Sequence, residues 1–258
     1  MISVLGSIHG NMLDQPRNSI RDFVAALHLF QPTLILSEVR PEAPDSIEGA
    51  IDGAPEQILV YAYAKSVGAR VIPVNWVNDQ YNKEAAKENS QQSTELKSKI
   101  EPLFLMFREV VQHGTFLESQ SALTQEIIRK RYDILDSHGF TALRKRSQAI
   151  CGNIRSKAAQ FTNQRVLIVF GLAHKYILED CIRDLGMTTS SVETWFDLER
   201  SKQTKFDANL KVEAAQSFRA AKSLLLKRLQ SGYYTTDIEE QRETLKDFDV
   251  WLQQTSTL

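Results

Sequence analysis

Two stretches at opposite ends of the chain share one pattern, and that pattern constrains the fold more than any other feature. Ile2-Ser3-Val4-Leu5 runs into Gly6-Ser7-Ile8-His9, and Val166-Leu167-Ile168-Val169-Phe170 runs into Gly171-Leu172-Ala173-His174. Each is a short β-type run followed by a Gly, two small or apolar residues and a His. An apolar run bounded by Gly reads as a buried strand, and buried strands of this kind belong to parallel sheets. Ligands of open α/β sheets bind beyond the carboxyl ends of the strands. Two histidines delivered there from opposite ends of the chain can meet in one cleft.

The segments between them support the same reading. A polar loop from Gly6 to Pro16 carries His9, Gly10, Asn11 and Asp14. Ile20, Phe23, Val24, Leu27 and Phe30 recur at helical spacing over 17–30, and Gln31-Pro32 stops that helix. Thr33-Leu34-Ile35-Leu36 is the second strand and leads into Ser37-Glu38-Val39-Arg40. A right-handed strand–helix–strand unit then sets Glu38 beside His9 on one sheet edge. A Glu directly after an apolar strand is costly to desolvate without a partner, and Arg40, two residues on, is the nearest cation. A helix is expected over 51–67, with Gly68 as its stop. A third strand, Arg70 to Val74, delivers Asn75, Trp76 and Asp79; Asp79 also suits the cap of the next helix.

Beyond this point the chain becomes helical and charged, from about Lys83 to Lys157. Leu103, Phe104, Met106, Phe107, Val110 and Val111 mark one amphipathic helix, and Arg144 to Arg155 is a basic one whose Ala149, Ile150 and Ile154 suit packing on a sheet with Arg146 along its edge. Such an insertion suits the cover over a sheet's open edge. Ser191 to Phe196 reads as a final strand. Two long helices follow, over about 206–230 and 236–254, as a hairpin packed on the domain or on a second subunit. The expected organisation is therefore an α/β domain over 1–200, with a central mostly parallel β-sheet, flanking helices and an insertion over about 83–157. A helical extension over 201–258 completes it and offers a homodimer face.

Composition narrows the function classes. With 31 basic and 32 acidic residues and a formal net charge of −1, no basic surplus points to nucleic acid. No apolar stretch approaches the roughly 18 residues that cross a bilayer. Met1 to Leu5 is too short for a secretory leader, so a cytoplasmic protein is expected. The two cysteines, Cys151 and Cys181, lack metal or redox spacing and read as reduced, buried thiols.

The combination of G-S-I-H after the first strand, S-E-V-R after the second, R-S-Q-A-I-C-G-N-I on a late helix and V-F-G-L-A-H-K-Y-I-L resembles the TraB/TIKI/erythromycin-esterase superfamily, over about residues 2–196. That resemblance implies an α/β fold whose pocket is lined by His9, Glu38, Arg40, Arg146 and His174. It implies chemistry of the kind found among metal-dependent proteases, macrolide-lactone esterases and haem-binding lipoproteins, and it does not fix a substrate.

His9, Glu38 and His174 together suit two chemistries. They can hold a divalent metal (Mn, Co or Zn) with an open position, lowering the pKa of bound water. Without a cofactor, Glu38 or a histidine can act as general base on water. Arg40 and Arg146, with Asp14 and Trp76, are the expected contacts to a small-molecule or peptide substrate, the arginines suiting an anionic group or a developing oxyanion. The function expected is therefore a hydrolase of ester or peptide bonds. The alternatives are a binding protein that sequesters the same ligand without turnover, and a natural-product tailoring enzyme using these residues for other acid–base chemistry.

Overall fold

β1 (Ile2–Ser7), β2 (Leu34–Ser37), β3 (Arg70–Pro73) and β4 (Val166–Gly171) pair in parallel throughout, in the order β1-β4-β2-β3. The structure is a computed structural model that describes residues 1–42, 46–51, 53–233 and 238–256, the side chains of residues 79 and 240 excepted. The last strand in the chain is thus inserted between the first two. Ser7 pairs with Gly171, Ser37 with Val169 and Ser37 with Pro73, so all four carboxyl ends lie along one edge.

Thirteen helices are present among the described residues. α1 (Ile20–Phe30) links β1 to β2, with Ser19 and Asp22 forming a reciprocal capping box at its start. α2 (Ile47–Ala50) and α3 (Glu56–Val67) link β2 to β3. The helix expected over 51–67 begins five residues late, because Pro55 sets its start, and it ends at Gly68, whose φ of 71° only glycine adopts readily. The insertion comprises α4 (Asp79–Ser90), α5 (Thr94–His113), α6 (Phe116–Gln120), α7 (Ala122–Ser137) and α8 (Ala142–Lys157). Asn78 caps α4 through its side chain; the side chain of Asp79, the expected cap, lies outside the described residues. After β4 come α9 (Lys175–Asp184), α10 (Val192–Trp195), α11 (Leu198–Gln203), α12 (Ala208–Gln230) and α13 (Ile238–Ser256).

Alternate strand residues face two cores. Leu5, Ile35, Leu167 and Val169 pack with α1, α3 and α12, whereas Val4, Leu36, Ile168 and Phe170 pack with Ile150 and Ile154 of α8 and Leu178 and Ile182 of α9. Both faces are dry, which is why the strands show no polar alternation. Because β1 is an edge strand, its outer side needs cover. Gln120 of α6 supplies it, its amide both accepting from the Gly6 N–H (3.0 Å) and donating to the Gly6 carbonyl (2.7 Å).

Three expectations are corrected here. Ser191 to Phe196 is not a strand: only Thr189 bridges to Ile2, and the chain then turns into α10, seating Trp195 on Phe30 (5.0 Å) with its indole N–H donating to Ser3 Oγ (3.0 Å). Cys151 and Cys181 are not free thiols but a disulfide joining α8 to α9, neighbours in space that a separation of 30 residues does not reveal. On α5, Val111 and Phe107 of the expected stripe pack on the core, whereas Phe104 and Met106 are exposed, and Leu96 and Ile100 are buried toward the start of the helix.

The C-terminal helices pack on their own domain. α12 lies on α3, and Phe218, Phe248 and the fully buried Trp251 form an aromatic cluster between α12 and α13. α13 reaches back to the loop after β1, where Gln254 Nε2 donates to the Leu13 carbonyl (2.7 Å). The extension therefore braces α3 and the segment that carries His9.

Candidate active site

Four strand ends converge on one group of side chains. β1 leads into a short 3₁₀ turn, His9–Leu13, and His9 opens it at φ 53°, a left-handed conformation that β-carbon residues adopt at a cost. Its Nδ1 lies 2.7 Å from Oε1 of Glu56, and the Ser7 hydroxyl donates to the same oxygen (2.5 Å). Glu56 is wholly buried in the first turn of α3. Its position holds the imidazole by one nitrogen and leaves Nε2 facing the sheet edge.

Glu38 sits across that edge. Its Oε2 accepts the backbone N–H of Gly171 (2.6 Å) and its Oε1 accepts from Arg146 (2.8 Å). The same Arg146 nitrogen donates to Asn75 Oδ1 (2.9 Å), and Nε donates to the Trp76 carbonyl (3.2 Å). Asn153, one helical turn and three residues further along α8, donates to the carbonyls of Val74 and Asn75 and ties that helix to the end of β3. Gly171 is the spacer between His9 and Glu38. A Cβ there would lie 2.4 Å from His9 Nε2 and 3.5 Å from Glu38 Oε2, so no other residue fits without moving the histidine.

His174 reaches the same site from the turn after β4. It is buried against Phe170, and its Nδ1 has no hydrogen-bond partner among the described residues. The two histidines are pushed apart electrostatically. Burial alone would lower the His9 pKa, but the charge and hydrogen bond of Glu56, with the charge of Glu38, outweigh it and hold His9 at about 9 despite Arg146. Burial, then Arg146, pushes His174 down to about 4, Glu38 opposing and His9 adding to the fall. Burial works against ionised Glu56 too, yet its contacts with His9 and Ser7 leave its pKa lowered. At neutral pH the pair is one imidazolium and one imidazole.

A raised His9 pKa contributes stability that is complete below pH 6.5 and lost as pH rises through about 9. A lowered His174 pKa contributes stability that is complete above pH 6.5 and lost as pH falls toward about 4. NMR titration of the imidazole resonances is expected to place the two midpoints on opposite sides of the free-histidine value. Coincident midpoints between 6 and 7 would contradict the contacts described above.

The structure brings together His9, Glu38 and Arg146 with Glu56 and Asn75, and sets His174 within electrostatic reach of His9, Glu38 and Arg146. Among the described residues, the donor atoms within 4.8 Å of one another belong to His9, Glu38 and Glu56, a set that could hold a metal ion; His174, the expected third ligand, is not in it. The reason is positional: His174 follows β4 into α9 and is buried against Phe170, whereas Glu56 enters from α3. Arg40 is exposed, and the guanidinium that meets Glu38 comes from α8 instead. Asp14 is also exposed, and the charge it faces is Asp247 on α13. Trp76 contributes its backbone carbonyl, while its ring packs edge-on against Tyr81 (5.9 Å).

Glu56 was the residue missed. An acid after a proline at a helix start reads as compensation of the helix dipole. The available signal was its surroundings: Ile58 to Ala64 are apolar on every face of α3, so an acid and Gln57 opening such a helix are buried with it. Comparison with family models, with curated proteins and with solved structures finds no match to this chain.

Proposed function

We propose that the protein is a hydrolase of ester or peptide bonds, with proton transfer carried by His9 and His174. The observation that carries the reading is the linked set Ser7–Glu56–His9, facing Glu38–Arg146 across Gly171 at the carboxyl ends of four parallel strands. A buried carboxylate on one imidazole nitrogen fixes its orientation and leaves the other for the reacting atoms, the arrangement by which acid–base histidines are held in acyl-transfer sites. In this reading His9 Nε2 donates to the carbonyl oxygen or the leaving group. His174, whose Nδ1 is unpartnered, accepts the proton of the attacking water. Arg146 and the Gly171 N–H together hold the Glu38 carboxyl group at the sheet edge between the two histidines. The motif resemblance to the TraB/TIKI/erythromycin-esterase superfamily supports the same reaction class.

A second reading is favoured by one atom: Glu56 Oε2 is buried with no partner. A divalent cation (Mn, Co or Zn) held by His9, Glu38 and Glu56 would engage it, and would supply a polarised water to the same cleft. Metal analysis of untagged protein decides between the two. Stoichiometric metal that disappears in Glu56→Gln supports the second, and metal-free turnover supports the first.

The direct test is a panel of p-nitrophenyl esters, lactones and short peptides. His9→Ala is expected to lower kcat/KM on any turned-over substrate by about 10²- to 10⁴-fold with the fold intact. Undiminished turnover in the His9→Ala, His174→Ala double variant would remove the proposal. A ligand that binds and is recovered unchanged would move the assignment to a binding protein.

A further inference from the structure

A second compartment borders the site. Helices α4, α7, α8 and α9 enclose a cavity of about 620 Å³, within the range of small-molecule pockets. It meets the site at Tyr81, whose ring lies 5.8 Å from the Arg146 guanidinium, and at Ser147, the next residue in sequence. One wall is aromatic. Tyr132 and Tyr176 stack with their planes 20° apart, Arg129 lying over Tyr176 (4.8 Å) and Arg131 over Tyr132 (5.6 Å).

The charges on this wall are unevenly engaged. Asp180 is paired with Arg129 and Arg183, and Asp136 with Arg144. Glu88 accepts the backbone N–H groups of Thr141 and Ala142 at the start of α8. Asp133 stands 3.8 Å from Arg144, and Asp184 is exposed at the rim. Neither Arg131 nor Arg155 has a carboxylate partner among the described residues. Two donors here are buried without any partner: Arg131 Nε, and the hydroxyl of Ser147, a residue only 1% exposed. Both atoms lie behind the cavity surface, so the charge that a ligand meets there is that of the Arg131 and Arg155 guanidinium groups.

We propose that this cavity receives the body of the substrate, and that it selects a planar aromatic ring carrying a carboxylate or similar anion. The ring would stack on the tyrosine and guanidinium faces, and the anion would meet the guanidinium groups of Arg131 and Arg155. The inference rests on the hydrolase reading only for the role of the bound molecule as substrate.

The test is calorimetric titration with 1-naphthoate and with uncharged 1-naphthalenemethanol. Single-site binding of naphthoate, about tenfold tighter than the alcohol, is expected. Arg131→Gln is expected to reduce naphthoate to the affinity of the alcohol. Gly152→Trp supplies a variant that blocks the space without disturbing the fold, since a Cβ at Gly152 meets no atom within 4 Å and α8 gains helix propensity. It is expected to weaken both probes by at least about tenfold, a steric loss of roughly 1.4 kcal/mol or more. Absence of saturable binding, equal affinity for the two probes, or an unaltered Gly152→Trp titration would each overturn the proposal. Naphthoate binding without hydrolysis of any ester would instead overturn the hydrolase reading and leave the cavity standing.

Discussion

Gly171→Ala is expected to lower turnover by about 100-fold, the loss that follows from displacing a reacting group by around an ångström. The backbone at Gly171 has φ −52° and ψ 139°, which alanine adopts freely, so the effect comes from space alone. The added methyl would lie 2.4 Å from His9 Nε2 and 2.9 Å from Cε1. Moving His9 aside means giving up the 2.7 Å contact of its Nδ1 with Glu56 at a residue whose backbone is already left-handed. Gly6 occupies the equivalent place in the first phrase and serves as the control. Its added methyl would meet Leu172 Cδ1 at 2.5 Å and Leu172 Cα at 3.1 Å but neither His9 nor Glu38, so Gly6→Ala should cost packing and lose less turnover than Gly171→Ala. Kinetics with the best substrate, and the His9 NMR resonance as an activity-independent readout, check both. Wild-type turnover and an unmoved resonance in Gly171→Ala would contradict the packing of the site.

The largest stability loss is expected at Arg146. Its guanidinium joins Glu38, Asn75 and the Trp76 carbonyl, and side-chain exposure is 15% for Arg146 and 9% for Glu38. Arg146→Met leaves Glu38 as a buried carboxylate without its cation, a change that costs about 3–5 kcal/mol. For a chain of this size that is a fall in Tm of roughly 10 °C. Arg146→Lys should recover little, because an ammonium cannot serve carboxylate, amide and carbonyl from one plane. Glu38→Gln added to Arg146→Met should restore part of the loss, since it removes the unpaired charge. A double-mutant cycle in urea measures this coupling, and purely additive losses would show that the pair is not a unit.

The strands, the edge on which they end and four site residues were legible in the sequence, because each rests on short-range pattern. His9, Glu38 and His174 directly follow apolar runs, and Arg146 lies on a helix whose Ile150 and Ile154 dictate the face that meets the sheet. What was not legible depends on spatial order. Arg40 is near Glu38 in sequence, but the chain turns outward after Val39, and α8 brings Arg146 from 108 residues away. Glu56 fell inside the helix expected over 51–67, and nothing local tied it to a residue 47 positions earlier. The disulfide required knowing that α8 and α9 lie side by side.

The insertion of β4 between β1 and β2 has a consequence for how the protein is made. β1 pairs with β4, while β2 pairs with β3 and β4, so β1 has no strand partner until residues 166–171 have left the ribosome. Until then β1 lacks the strand that joins it to β2 and β3. The arrival of β4 closes the sheet and, in the same step, places Gly171 between His9 and Glu38. The geometry of the site therefore arises only once the second glycine–histidine phrase has been made, and fragments ending before it carry the separate parts of the site without its assembly.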